Sequence, residues 1–327
     1  MKIPHAEILG LGASLPPKVV TNFDLEKLVD TTDEWIRTRT GIRERRIVEK
    51  GVAASDLGAE AAREALKQAK VPVGDLDLII VATATPDMTF PSTGCLVQKK
   101  IGATCPAFDI SAACSGFVYA LSAAEAYIKS GLYRRILVIG SEITSSFIDW
   151  KDRSTCVLFG DGAGAAVVGS ASKGHQILAS HLGSDGNYAD ILKVPAGGSA
   201  MPISVETLSK GLQYLKMEGG EVFKLAVRTM DEAVHKVCKM AGIQTTDIAC
   251  LIPHQANLRI LNAVAERIQI PIEKVFINVD KYGNMSAAST IVALYEAAQS
   301  KKIKKNQYVV LVAFGGGLTW GSCAIRW

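Results

Sequence analysis

Three side chains in this sequence have types and settings that could do chemistry together: a thiol, an imidazole and a carboxamide. Cys114 lies in DISAACSGFVYALSAAEAYIKSG, where a short apolar run gives way to small residues and a helical pattern begins. Unpaired backbone N–H groups at a helix start carry partial positive charge, which predicts a lowered thiol pKa and more thiolate. Ala112, Ala113, Ser115 and Gly116 leave room for a substrate, and Gly116 would let backbone approach a ligand. A buried structural cysteine is the alternative, and the commoner one. His254, in LIPHQANLR, ends an apolar run just before a helix opens near Asn257. Open α/β sheets bind ligands at such points, and an imidazole there can donate or accept a hydrogen bond at neutral pH. A capping or structural histidine is the competing reading. Asn284, in DKYGNMSAAS, comes two residues before Ser286, although Gly-Asn is also an ordinary turn pair. FGGGLTWG, at 314–321, offers glycine N–H groups that could reach a reacting carbonyl oxygen, or else a plain tight turn.

The elements around these residues alternate. LIIVAT (78–83), RILVIG (135–140), GAAVVG (164–169), VFINV (275–279) and YVVLVAF (308–314) are short apolar runs of the kind that form strands buried on both faces. Helical spacing covers 219–241, through Val222, Phe223, Ala226, Met230, Val234 and Val237, and also 257–268. Alternating strands and helices predict an α/β layered fold. The chain also repeats itself. DLDLIIVA from Asp75 parallels DIACLIPH from Asp247, and the same offset of 172 carries Cys114 to Ser286 and Arg135 to Gln307. A duplicated α/β unit follows, as halves 1–172 and 173–327 joined near GSASKGH, with Cys114, His254 and Asn284 meeting at the seam. The Gly- and Ser-rich stretch 183–212 reads as a long surface excursion. FGDGAGAAVVG, at 159–169, lacks the spacing of a dinucleotide fingerprint or a P-loop and reads as close packing.

Composition narrows the class. The 327 residues are 48% hydrophobic and 21% charged, as in ordinary globular proteins. No apolar run approaches the roughly 20 residues of a membrane helix. The start, MKIPHAEILGLGASLP, reads as a first strand rather than a secretory leader, which predicts a cytoplasmic protein. Seven scattered cysteines without a CxxC pair argue against disulfides and against a metal site. A net charge of +4 is too mild to imply nucleic acid, yet it permits a local basic patch. His5, His175, His181 and His235 have no setting like that of His254 and read as structural or solvated.

DEWIRTRTGIRERRI, DISAACSGF, FGDGAGAAV, HQANLRI, YGNMSAAS and FGGGLTWG, in that order and nearly end to end, resemble the β-ketoacyl-acyl-carrier-protein synthase III family of thiolase-like condensing enzymes. The resemblance implies a five-layered α-β-α-β-α arrangement. It implies acylation of Cys114 by a short acyl-CoA primer, acetyl or branched, then decarboxylative condensation with malonyl-acyl-carrier protein to a 3-ketoacyl product, initiating type II fatty acid synthesis. His254 and Asn284 complete the triad, and the N–H groups of Cys114 and Gly316 form the oxyanion hole. Trp35 and Arg153 match positions that sandwich the adenine of CoA, with Arg39, Phe223 and Asn257 along the CoA channel. Phe90 matches a residue that reaches across a homodimer to floor the primer pocket. Lys224, Arg259 and Arg267 match the rim that steers the acidic carrier protein. No cofactor or metal is implied, because acyl-CoA is a substrate. Two departures stand out: Glu266 sits where many relatives carry a basic residue, and Ser154 replaces a glycine after the channel arginine.

Other readings fit less well. A degradative thiolase needs a second catalytic cysteine near the chain end, and Cys323 in GSCAIRW does not resemble it. Hydroxymethylglutaryl-CoA synthases carry a glutamate where this chain has Ala84, and chalcone-type synthases are usually longer. A specialised paralogue serving a secondary metabolite shares the same motifs. Papain-like peptidases also use Cys-His-Asn, but they are disulfide-bonded and follow the cysteine with Trp rather than Ser115. A non-catalytic CoA-binding scaffold would keep Trp35 and Arg153 but could lose the triad.

Overall fold

The computed structural model describes residues 5–170 and 175–327, so part of the expected GSASKGH join lies outside the described residues. Nine strands form the main sheet system: β1 (Ala6–Ser14), β2 (Leu78–Ala82), β3 (Ala107–Ile110), β4 (Arg135–Glu142), β5 (Gly162–Ser170), β6 (His175–Ser184), β7 (Ile248–Pro253), β8 (Tyr308–Gly315) and β9 (Thr319–Arg326). Six helices pack on them: α1 (Ala54–Ala69), α2 (Thr93–Ile101), α3 (Gly116–Ser130), α4 (Gly219–Ala241), α5 (Leu258–Ile268) and α6 (Ala287–Gln299). The strand order is β7-β8-β9-β6-β1-β5-β4-β2-β3. The duplication is visible in that order. Outward from the centre, β1-β5-β4-β2 mirrors β6-β9-β8-β7, and β2–β4 and β7–β8 are the matching parallel pairs. Among the described residues, the strands of the two halves pair at Glu7↔Gln176 and Ile8↔His175, where β1 meets β6, and an isolated bridge joins Phe159 to Asn284.

Alternation of side chains along each strand separates the layers. In β4, Ile136 and Val138 enter a central core while Leu137 and Ile139 face an outer one. In β8, Val309, Leu311 and Ala313 enter that same central core, while Val310, Val312 and Phe314 face outward. Helices α3 and α6 fill the centre, through residues such as Phe117, Leu121, Ile291 and Leu294. Helix α1 covers the first sheet from outside, and α4 and α5 cover the second. The result is the five-layered α-β-α-β-α arrangement. Both central helices are apolar nearly all round, as a helix sandwiched between two sheets must be.

VFINV does not form the expected strand: only Val275 bridges to Leu251, and a short helical turn begins at Val279. The amide groups of Asn278 and Val279 donate instead to the Gln255 side chain, at 3.0 and 3.2 Å. That fully buried glutamine replaces a sheet neighbour. The 183–212 segment runs mostly over the surface, as expected of an excursion. It folds back, and Leu192 and Lys193 pair with Lys216 and Met217 in a two-stranded ribbon.

Close packing explains several glycines. FGDGAGAAVVG fits its packing role: a Cβ on Gly160 would lie 2.3 Å from the Tyr282 carbonyl oxygen, and one on Gly164 2.7 Å from Ile291. At Gly12 in β1, a Cβ would lie 2.2 Å from the Ala61 carbonyl oxygen of α1, backbone against backbone. Gly12→Ala is therefore expected to destabilise the protein by about 1–3 kcal/mol or more. Gly74→Ala, where a Cβ meets nothing within 4 Å, should be nearly neutral, and chemical denaturation of both variants checks the contrast.

Candidate active site

Cys114 occupies a three-residue turn, Ala113–Ser115, between β3 and α3. Ala113 is held at φ +44°, and Ser286, just before α6, at φ +47°. These are the matching sharp turns of the two halves, 173 positions apart rather than 172. Cys114 thus corresponds to Ala287, and the second half carries no thiol at that place. Non-glycine residues at positive φ cost free energy and cluster at functional sites. Gly116 does not face a ligand: it is buried, and a Cβ there would lie 3.1 Å from Ala82 and 3.4 Å from Ala287. Its smallness lets α3 start tight against α6.

A loop from the second half closes over this turn. A Cβ on Gly315 would lie 2.6 Å from the Cys114 amide nitrogen, so only glycine fits there. The Thr319 hydroxyl lies 2.9 Å from the Ala112 carbonyl oxygen and 3.1 Å from that of Gly316, and Ser115 Oγ is 2.7 Å from Thr319 Oγ1. Thus hydroxyls pin the glycine loop to the cysteine turn.

His254 follows β7, is 3% exposed, and donates its backbone N–H to the Val312 carbonyl at 2.7 Å. The next residue, Gln255, donates to the Pro253 and Phe276 carbonyls at 2.8 and 3.1 Å, which fixes the loop bearing the imidazole. Asn284 is buried, and its Oδ1 accepts the Ser286 N–H at 2.8 Å. With Oδ1 engaged, Nδ2 is the end of the amide that can donate to a ligand.

Cys114, His254, Asn284 and Gly316 all line one cavity of about 730 Å³. Its wall is largely apolar, including Leu192, Leu215, Met217, Val222 and Met230. Leu192 comes from the excursion, and Leu215 and Met217 from the segment that follows it. Arg39, Phe223, Lys224, Asn257 and Arg259 also line it, and Asn257 uses its Oδ1 to cap α5, accepting the Ile260 N–H at 2.9 Å.

Burial sets the charge states. Desolvation pushes the His254 imidazole down to about 4, so it is neutral at pH 7. The Cys114 thiol is partly open to the cavity but deep in the protein, and desolvation pushes it up to about 12. The Ser286 hydroxyl opposes that rise, and the Glu142 charge adds to it. Burial thus works against the lowered pKa expected of a helix-start thiol, and the direction for Cys114 is upward. The resting pair is a neutral thiol and a neutral imidazole.

Other anticipated residues lie elsewhere. Trp35 lies outside the cavity wall, with the Arg153 guanidinium 4.9 Å from its ring centroid and that of Arg39 at 5.7 Å. Arg153 also donates to the Asp30 carbonyl at 2.7 Å. A base stacked on both faces needs about 7 Å between the Trp35 ring and the guanidinium, so the adenine slot is closed here. Ser154, the departure beside Arg153, donates its hydroxyl to Asp152 at 2.6 Å within a helical turn. Phe90 is 82% exposed and contributes nothing to the cavity of its own chain. Of the rim cations, Arg267 is tied to Asp231 at 2.8 Å, bridging α5 and α4. Lys224 pairs with Glu221 at 2.8 Å, and Arg259 lies over the Phe223 ring at 5.8 Å. Sequence reading passed over Gln255, Thr319 and the buried Glu142; a glutamine directly after His254 was the one local signal.

Comparison with known proteins agrees in fold and family. The family model for 3-oxoacyl-[acyl-carrier-protein] synthase III matches residues 108–186, and that for its C-terminal part matches residues 238–327. The chain is 56% identical to the β-ketoacyl-[acyl-carrier-protein] synthase III of Caldanaerobacter subterraneus and 54% identical to that of Clostridioides difficile, in each case over 98% of both chains. Its structure superposes on the crystal structure of 3-oxoacyl-[acyl-carrier-protein] synthase III from Aquifex aeolicus with a TM-score of 0.92 at 49% identity, covering 98% of this chain and all of that one. The chain belongs to the β-ketoacyl-acyl-carrier-protein synthase III family of condensing acyltransferases.

Proposed function

We propose that this protein condenses a short acyl-CoA, acetyl or branched, with malonyl-acyl-carrier protein to give a 3-ketoacyl thioester and CO₂, the initiating step of type II fatty acid synthesis. The observation that carries the reading is the convergence on one apolar cavity of Cys114 from the first half with His254, Asn284 and the Gly315–Gly316 backbone from the second. In the first half-reaction the Cys114 sulfur attacks the thioester carbonyl, and the bond between the acyl carbon and the CoA sulfur breaks. The neutral imidazole of His254 takes the thiol proton as charge builds on sulfur and returns it to the departing CoA sulfur. Backbone N–H groups of Cys114 and Gly316 face the tetrahedral oxygen.

In the second half-reaction the bond between the malonyl carbon and its carboxylate breaks, and its electron pair becomes an enolate. His254 and the Asn284 Nδ2 group donate to the enolate oxygen as two neutral donors. The enolate carbon then attacks the acyl carbonyl, the acyl–Cys114 bond breaks, and the thiolate takes a proton from solvent. Decarboxylation supplies the carbanion, so the scheme calls for no strong base and no cofactor.

Binding follows the same assignment. CoA enters past Arg39, Phe223 and Asn257, and its adenine requires Arg153 to swing off Trp35. Arg259 and Lys224 meet the acidic carrier, with Arg267 a weaker contributor because Asp231 already holds it. Phe90, exposed as it is, completes the primer pocket of a second copy in a cytoplasmic homodimer. A thiolase reading is disfavoured because Cys323 is fully buried in β9 and outside the cavity wall.

Intact mass spectrometry with acetyl-CoA should show one acyl group, located at Cys114, which disappears when malonyl-carrier protein is added. An acyl group on another residue, or none, overturns the proposal. Asn284→Asp should still self-acylate but lose condensation by ~10²-fold or more, since a carboxylate repels the enolate. The neutral imidazole also has a thermodynamic signature. Its folded pKa of about 4 lies below the ordinary value of 6.5, so its contribution is complete above pH 6.5 and is lost as pH falls toward 4. Relative to His254→Asn, wild type should lose up to roughly 3 kcal/mol across that window, as read by denaturant melts at several pH values.

A further inference from the structure

Behind the cysteine lies a buried acid that the mechanism above does not use. Glu142 ends β4, is 0% exposed, and is held by both halves of the molecule. Its carboxylate accepts Thr85 Oγ1 at 2.8 Å, the Ala84 N–H at 3.0 Å, Thr83 Oγ1 at 3.3 Å and, from the second half, the Ala287 N–H at 3.3 Å. None of these partners is a cation. A buried carboxylate without a counter-ion is costly, and a neutral acceptor would serve the same donors more cheaply.

Ser286 makes this acid relevant to the nucleophile. It lines the cavity with Cys114, its neighbour Ala287 donates to Glu142, and its N–H donates to the Asn284 Oδ1 at 2.8 Å; its hydroxyl lies where it favours the charged form of both the thiol and the carboxyl. It is 3% exposed and fixed at φ +47°, so it has little freedom to turn away. A hydroxyl has one hydrogen to give. It can serve the carboxylate or the sulfur, not both. The other charged or titratable groups around the cavity are His254, at the end of β7, and the cations Arg39, Lys193, Lys224 and Arg259.

We propose that Glu142 and Ser286 are positioning residues for the nucleophile: the buried carboxylate opposes negative charge on the Cys114 sulfur, and the Ser286 hydroxyl turns its hydrogen from carboxylate to sulfur when that charge forms. The pair keeps the free enzyme's sulfur as a thiol until a substrate is present. It also links the state of the sulfur to the turn that holds the Asn284 amide. Desolvation raises the Glu142 carboxyl, and donation from Thr85, Ala84, Ser286 and Ala287 works against that rise by favouring the carboxylate.

The inference rests on Cys114 as the acyl acceptor, and its test reads the thiol without requiring turnover. The rate of Cys114 alkylation by iodoacetamide, followed at that peptide by mass spectrometry on the full-length free enzyme across pH, reports the thiolate fraction. Glu142→Gln is expected to speed alkylation at pH 7.5 by about tenfold or more, moving the profile to lower pH. Ser286→Ala is expected to slow it and to move the profile the other way. Opposite shifts are what a general loosening of the fold would not produce, and thermal melts monitor loosening directly. If Glu142→Gln fails to fold, Ser286→Ala and Glu142→Asp decide: the aspartate, which keeps the charge, should alkylate no faster than wild type. An unmoved or accelerated profile in Ser286→Ala, or a slower or unmoved one in Glu142→Gln, overturns the proposal. Wild type that alkylates at Cys114 but accepts no acyl group would refute the condensing reading and leave this pair intact.

Discussion

The site depends on the layer that the two halves share. Helices α3 and α6 lie in one core with the inward faces of both sheets, and each begins at a sharp turn with a residue at positive φ. Because the helices are packed together from their first residues, through Gly116 against Ala287, the two turns are fixed relative to one another. One turn carries Cys114, and the other follows Asn284 and holds its amide. Pairing of β1 with β6 alone would not do this, since among the described residues they meet at two residue pairs. Burial of small side chains between helices, together with the backbone bonds from Asn284 to Leu158 and Gly160, brings the thiol and the carboxamide into one cavity.

The same burial determines how the groups behave. Removing water from an imidazole and a thiol favours the neutral form of each, so the site rests without charge at His254 and Cys114. A neutral imidazole suits a donor aimed at an enolate oxygen better than it suits a partner that permanently ionises the thiol. In the proposed mechanism reactivity comes from groups that act when charge develops: the His254 imidazole, the backbone N–H groups of Gly316 and Cys114, and the Ser286 hydroxyl. The tight approach of Gly315 to Cys114 places that backbone where a side chain could not go.

Much of this was legible in the sequence, for identifiable reasons. Strands buried on both faces are continuous apolar runs, so LIIVAT, RILVIG and YVVLVAF announced themselves, and duplication showed as a nearly constant offset. VFINV looked like a strand because local pattern cannot reveal that the Gln255 side chain takes the place of a neighbouring strand. The offset slipped by one because repeats align by apolar residues, whereas the true correspondence is set by backbone turns at Ala113 and Ser286. The thiol's acidity was misjudged because a helix start is local and readable, while desolvation depends on everything folded around it. Glu142 was invisible for a similar reason: at the end of an apolar run it resembles any charged strand terminus. Likewise, the stacking of Arg153 on Trp35 joins residues far apart in sequence, and no motif states whether such a slot is open or shut.

The most direct test is a crystal structure of the protein after exposure to acetyl-CoA. The account predicts an acetyl group on the Cys114 sulfur, its carbonyl oxygen about 2.7–3.1 Å from the backbone nitrogens of Cys114 and Gly316, with His254 and the Asn284 amide facing the space beside it. An acetyl oxygen turned away from those amides, or His254 and Asn284 pointing out of the acylated cavity, would contradict it.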